Sequence, residues 1–158
     1  MNRILDTQIE KDLGRRLFLE GQDMDGNELM DNITMFRTTP GAVLFCVCGG
    51  RVSEGLDFPG KEMELAIIVG IPYARPSARQ KALLDYYRMR SGESWGPVVK
   101  APAVRKMRQS VGRLIRSEHD RGIAVILDRR AGELEGLDAV HTADPVGDVR
   151  RFFGSDRE

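Results

Sequence analysis

Three short apolar runs, Ala42 to Cys48, Glu64 to Ile71 and Gly122 to Leu127, constrain this chain more than any other feature. The first is continuous rather than alternating, as expected of a strand covered on both faces in a parallel sheet. Helical spacing fills the intervals. Ala82, Leu83, Tyr86 and Tyr87 follow a loop bracketed by Pro72 and Pro76, and Pro102 suits the first turn of a helix reaching Arg116. Upstream, Ile4, Leu5, Ile9 and Leu13 predict a helix stopping at Gly14, Leu17 to Leu19 a short strand, and Asn27 the cap of a helix carrying Leu29, Met30, Ile33 and Phe36. Val149, Phe152 and Phe153 mark a last helix. The alternation predicts a three-layer α/β domain with a mostly parallel sheet, whose functional loops leave the carboxyl ends of strands.

A chain of 158 residues suits one domain with a real core. Lys and Arg total 24 and Asp and Glu total 24, so no global charge marks a nucleic-acid binder. The distribution is uneven, however: residues 101–130 hold eight basic and three acidic side chains, which allows a local basic face. Without a membrane-length apolar run or a secretory signal, the expectation is an intracellular protein, cytoplasmic or nucleoid-associated. Cys46 and Cys48 lie in an apolar run and are expected to be buried, reduced thiols. His119 and His141 are isolated, so no metal-ligand group assembles from Cys and His, and no structural metal is expected.

The stretch Gln109-Ser-Val-Gly-Arg-Leu-Ile-Arg116 carries the chemistry. At helical advance, Gln109, Gly112, Arg113 and Arg116 share an arc of about 100°, and Val104, Met107, Val111, Leu114 and Ile115 cluster opposite. A glycine beside two guanidinium groups suits close approach of a phosphate. Two nucleotide or nucleophile decoys fail. Gly55 to Lys61 matches most of a phosphate-loop pattern, but Glu62 stands where Ser or Thr should hold magnesium. Ser53 lacks the Gly-x-Ser-x-Gly frame, since position 51 is Arg. A calcium loop centred on Gly26 fails as well, with Gly21 first and Asn32 last.

Together, Gly49-Gly-Arg-Val-Ser-Glu-Gly-Leu-Asp-Phe-Pro-Gly60 and Gln109-x-x-Gly112-Arg113-x-x-Arg116 resemble motifs V and VI of superfamily 2 helicases, most closely the XPD and DinG branch. The resemblance covers roughly residues 15 to 153. It implies a RecA-like (P-loop NTPase-like) domain, the second motor domain of an ATP-dependent DNA helicase, coupling ATP hydrolysis to translocation on single-stranded DNA in DNA repair. On that resemblance Arg113 and Arg116 are the catalytic arginines, and Gln109, Glu54, Gly55 and Asp57 lie on the nucleotide side. Arg51, Ser53, Tyr73, Arg75 and Arg130 lie near the DNA.

ATP and Mg2+ would be shared with a first RecA-like motor domain, and an iron-sulphur cluster would belong only to that other part. The strand expected before the first helix is not found, so the whole of 1–158 is expected to be a fragment lacking that strand and the first motor domain, inactive alone. Repair proteins are further expected partners, and a membrane is not. The alternative is a non-catalytic RecA-like module that binds nucleic acid or protein. It would have no need of Gln109, Arg113 and Arg116 on one face.

Overall fold

The computed structural model describes residues 8–58, 62–115 and 118–154. Ile4, Leu5, Gly60 and Arg116 lie outside these described residues. The chain divides into two compact units, Met1–Gly55 and Leu56–Glu158.

In the first unit, α1 (Gln8–Leu13) and a short 3-10 turn lead into β1 (Leu17–Leu19), followed by α2 (Gly26–Thr38), β2 (Val43–Phe45) and α3 (Arg51–Gly55). The cap of α2 is Asp25 rather than Asn27. Its carboxylate accepts the amides of Asn27 at 2.8 Å and Glu28 at 2.9 Å, satisfying two of the donors that a helix start leaves open. Leu29 and Ile33 of α2 are buried, and Phe36 meets Phe18 of β1 edge-on. β1 and β2 pair in parallel, with Leu17 opposite Val43 and Leu19 opposite Phe45.

In the second unit, β3 (Leu65–Val69) leads to α4 (Ala78–Ser91), a π-helical turn at Gly96–Lys100, α5 (Ala101–Val111), β4 (Ile123–Leu127) and α6 (Pro145–Gly154). Ser77 caps α4 by accepting the Gln80 amide, and Gly92 closes it in the left-handed conformation. β3 and β4 pair in parallel from Leu65 opposite Ile123 to Val69 opposite Leu127. Ile68, Met107 and Leu134 form a buried cluster, with Val104, Val111 and Ile126 packed against it.

The burial expected of residues 42–48 and their two cysteines is corrected: Val43, Leu44 and Phe45 of β2 are only half-buried. β3 is covered on one side: Ile68 is buried, whereas Leu65, Ile67 and Val69 are exposed. This is the two-residue alternation of a strand with one face packed. Cys46 is exposed and Cys48 is half-buried. Although the residue is exposed, the Cys46 thiol is pushed up to about 11, first by desolvation and then by Glu20 and Cys48, so it stays protonated at neutral pH. Finally, no residue of α4 is buried, and Leu83 and Tyr86 are exposed.

Met107 is wholly buried, and Met89 is exposed on α4. Met107→Ala is expected to lower stability by about 2–5 kcal/mol, and Met89→Ala to change it by no more than about 0.5 kcal/mol. Urea unfolding followed by circular dichroism reads both.

Candidate functional site

Parallel pairing puts the ends of partner strands side by side. Directly after β1 stands Glu20, only 5% exposed, and directly after β2 runs the loop 46–50. The Glu20 amide extends the ladder by donating to the Phe45 carbonyl at 2.8 Å. Its carboxylate then accepts the amides of Val47 at 3.0 Å and Arg51 at 2.9 Å. Such charge-assisted bonds offset the cost of taking a carboxylate out of water.

The glycines follow from this arrangement. Gly49 has φ +83, and a Cβ on Gly50 would lie 2.9 Å from the Val47 carbonyl and 3.0 Å from both Glu20 oxygens. Ser53 is buried, with its hydroxyl near the carbonyls of Val47 and Gly50, and it accepts the Gly49 amide at 2.7 Å. The Ser53 hydroxyl, expected near the DNA, is thus engaged inside the loop. Arg51 donates to the carbonyls of Met24 at 2.8 Å and Gly21 at 3.1 Å, tying α3 to the loop before α2. Glu54 and Gly55 are exposed at the end of α3.

In the second unit, α5 stops at Val111, five residues short of the expected end. The Gly112 amide still reaches the Arg108 carbonyl at 2.8 Å, but Arg113 and Leu114 donate to the carbonyls three residues back, so the helix tightens into a turn. A Cβ on Gly112 would stand 3.1 Å from the Arg108 carbonyl, and this glycine serves the turn rather than a helix interior. Ile115 is exposed, against the expectation that it packs on the apolar side, while Leu114 is buried next to Gly122. Gln109 remains exposed on α5.

The turn delivers Arg113 to Asp57, with which it forms an ion pair and hydrogen bond. Each partner is followed by a buried anchor, Phe58 after Asp57 and Leu114 after Arg113. The Arg113 side chain is 17% exposed and that of Asp57 59%, so the guanidinium is held while the carboxylate borders solvent. Two residues 56 apart in sequence, one from each motif, thus meet at one point.

β3 and β4 end together as well. The Tyr73 amide donates to the Ile71 carbonyl at 2.8 Å, closing a three-residue turn centred on Pro72. After β4, Asp128 accepts the Arg130 amide at 3.0 Å and grips its guanidinium through two further bonds of 2.9 and 2.6 Å. The guanidinium lies 5.9 Å from the centre of the Tyr73 ring, which in turn stands 6.3 Å from Trp95. Arg130 holds the Asp128 carboxyl down at about 2, chiefly through the side-chain hydrogen bond. Arg75 is exposed on the loop before α4.

Of the expected site residues, the structure therefore joins Asp57 with Arg113 and Tyr73 with Arg130, and gives Arg51 and Ser53 internal partners. Two residues were not expected. Glu20 follows an apolar strand, and only the strand register reveals its role. Trp95, the sole tryptophan, is named by composition but has no motif around it.

A sequence profile described as "Helicase C-terminal domain" matches residues 1–137. The regulator of telomere elongation helicase 1 homolog of Arabidopsis thaliana is 38% identical over 148 residues, covering 77% of this chain and 14% of that protein. The general transcription and DNA repair factor IIH helicase subunit XPD of Dictyostelium discoideum is 38% identical over 100 residues, covering 60% and 12%. The ATP-dependent DNA helicase DinG of Photobacterium profundum is 42% identical over 82 residues, covering 51% and 12%. A solved XPD helicase superposes with a TM-score of 0.61 at 22% identity, over 84% of this chain and 24% of that one. The fold is RecA-like, and the chain spans about a tenth to a quarter of the length of these proteins.

Two outcomes follow from the geometry. Glu20→Ala strands the Val47 and Arg51 amides, which is expected to cost about 1–3 kcal/mol and to speed hydrogen exchange at those two amides; unchanged exchange contradicts the role given to Glu20. The folded carboxyl of Asp128 lies below its ordinary value, so its pairing stabilises the fold above about pH 4 and is lost as pH falls toward 2. Carbon NMR of the Asp128 carboxyl is expected to show a midpoint near 2.

Proposed function

The chain belongs to the helicase C-terminal domain family, and we propose that it is the second motor half of an ATP-dependent DNA helicase acting on single-stranded DNA in repair. The observation that carries this reading is the meeting of Asp57 and Arg113 at the turn after α5. A guanidinium anchored in place and paired with an exposed carboxylate is suited to exchange one oxyanion for another, and the arriving anion would be the terminal phosphate of ATP.

In this mechanism Arg113, joined by Arg116, stabilises charge on the transferred phosphoryl group when a first motor domain closes on it. Gln109, exposed on the same segment, hydrogen-bonds at the nucleotide. Release of Asp57 from Arg113 gives its segment a second arrangement, so that nucleotide state is read by the stretch Glu54, Gly55 and Asp57. Among the described residues no group of three or more His, Cys, Asp or Glu could hold a metal ion. Mg2+ would thus be held by the phosphates and the first motor domain, which would also carry any iron-sulphur cluster.

DNA contacts fall to Tyr73, Arg75 and Arg130, with Arg51 shaping the loop beside α3. No helix among the described residues is long and apolar enough to cross a membrane, and the proposed DNA substrate places the work inside the cell. The proposed extent of the motor domain is 1–158, with the strand before α1 and the first motor domain supplied by the parent chain.

In the full-length enzyme, Arg113→Ala is expected to lower DNA-stimulated ATP turnover by about 10³-fold, with little change in DNA affinity. Turnover near that of the unaltered enzyme would remove Arg113 from catalysis and favour a non-catalytic binding module.

A further inference from the structure

We propose that the outward face of α4 is a docking surface for an acidic amphipathic helix of a partner protein. The helix is terminated at both ends, by the Ser77 cap and by left-handed Gly92, yet it buries none of its residues. Gln80, Leu84 and Tyr87 are its half-buried side chains, and their spacing of four and three marks the inward face. Turned about 160° from that row runs a second of the same spacing, Ala82, Tyr86 and Met89, all three exposed.

The pattern that packs a helix against a neighbour is therefore present on both sides of α4, and the outward row is the more apolar of the two. Tyr86 is 50% exposed and Met89 82%. Tyr87 braces the Tyr86 ring edge-on, with centroids 5.6 Å apart and planes at 89°. A ring already held in this way loses less freedom when a partner covers it.

Charge specifies the occupant. α4 carries Arg79, Lys81, Arg88 and Arg90 against Asp85 alone. Among the described residues, none of the four cations is held in an ion pair. At about 100° per residue, Arg79 and Arg90 border the outward row on one side, and Lys81 and Arg88 lie beyond Asp85 on the other. A second copy of this chain would set these cations against their like. A phosphate chain would follow one file of cations and leave the Met89 side chain in water. An acidic helix with apolar residues at the same spacing satisfies both features: its apolar row covers Ala82, Tyr86 and Met89, and carboxylates at its edge meet Arg79 and Arg90.

The test uses the full-length enzyme and labelled three-heptad helical peptides with leucine at the core positions and either glutamate or lysine at the flanking ones, binding being read by anisotropy. The glutamate peptide is expected to bind and to slow hydrogen exchange over residues 78–91, and the lysine peptide not to bind. Tyr86→Ala and Met89→Ala are each expected to weaken the glutamate complex about five-fold or more. Arg79→Glu combined with Arg90→Glu is expected to reverse the preference toward the lysine peptide, a gain of binding that an unfolded variant could not show. Equal binding of both peptides, or binding without slower exchange over 78–91, would overturn the docking surface. Failure of the glutamate peptide to bind would overturn it and leave the row to another part of the parent chain. Displacement of the peptide by a thymidylate strand whose own affinity falls in Tyr86→Ala would overturn it in favour of nucleic acid.

Discussion

Parallel pairing governs where the chemistry of this chain can lie. Parallel strands run the same way, so their last residues finish side by side and the segments leaving them are brought together whatever their distance in sequence. Leu19 opposite Phe45 sets Glu20 beside the loop of Gly49 and Gly50. Val69 opposite Leu127 sets the Tyr73 turn beside Asp128 and Arg130. Within each unit, one register decides which loop residues meet. A slip of one residue would withdraw the Glu20 carboxylate from the amides of Val47 and Arg51.

The same constraint explains why polar groups sit where apolar ones would be cheaper. Glu20 is buried, but it answers amides that the tight turn after β2 would otherwise strand. Asp128 fixes Arg130, which gives a charged side chain one orientation instead of many. Asp57 does the same for Arg113. In all three cases a carboxylate organises either backbone donors or a guanidinium.

Much of this was legible in the sequence. The runs 42–48, 64–71 and 122–127 contain β2, β3 and β4, Leu17–Leu19 is β1, and the two motifs that carry the family assignment contain Asp57 and Arg113. Helix ends and burial were not legible. Helical periodicity continues through Arg116, whereas the chain turns at Gly112, because the arc count has no term for a glycine closing a helix with bonds to residues three back. Asp25 displaced Asn27 as the α2 cap because both residue types cap well and only the backbone angle at the start selects between them. Glu20, Trp95 and the exposed side of β3 depend on strand register and neighbours distant in sequence, which local pattern does not encode.

The central claim is that Arg113 trades Asp57 for a phosphate. The most direct measurement is a structure of the full-length enzyme with a non-hydrolysable ATP analogue bound. The account predicts the Arg113 guanidinium within about 3 Å of a terminal phosphate oxygen, with Asp57 released from it. Arg113 still paired with Asp57 and distant from an occupied nucleotide site would contradict it.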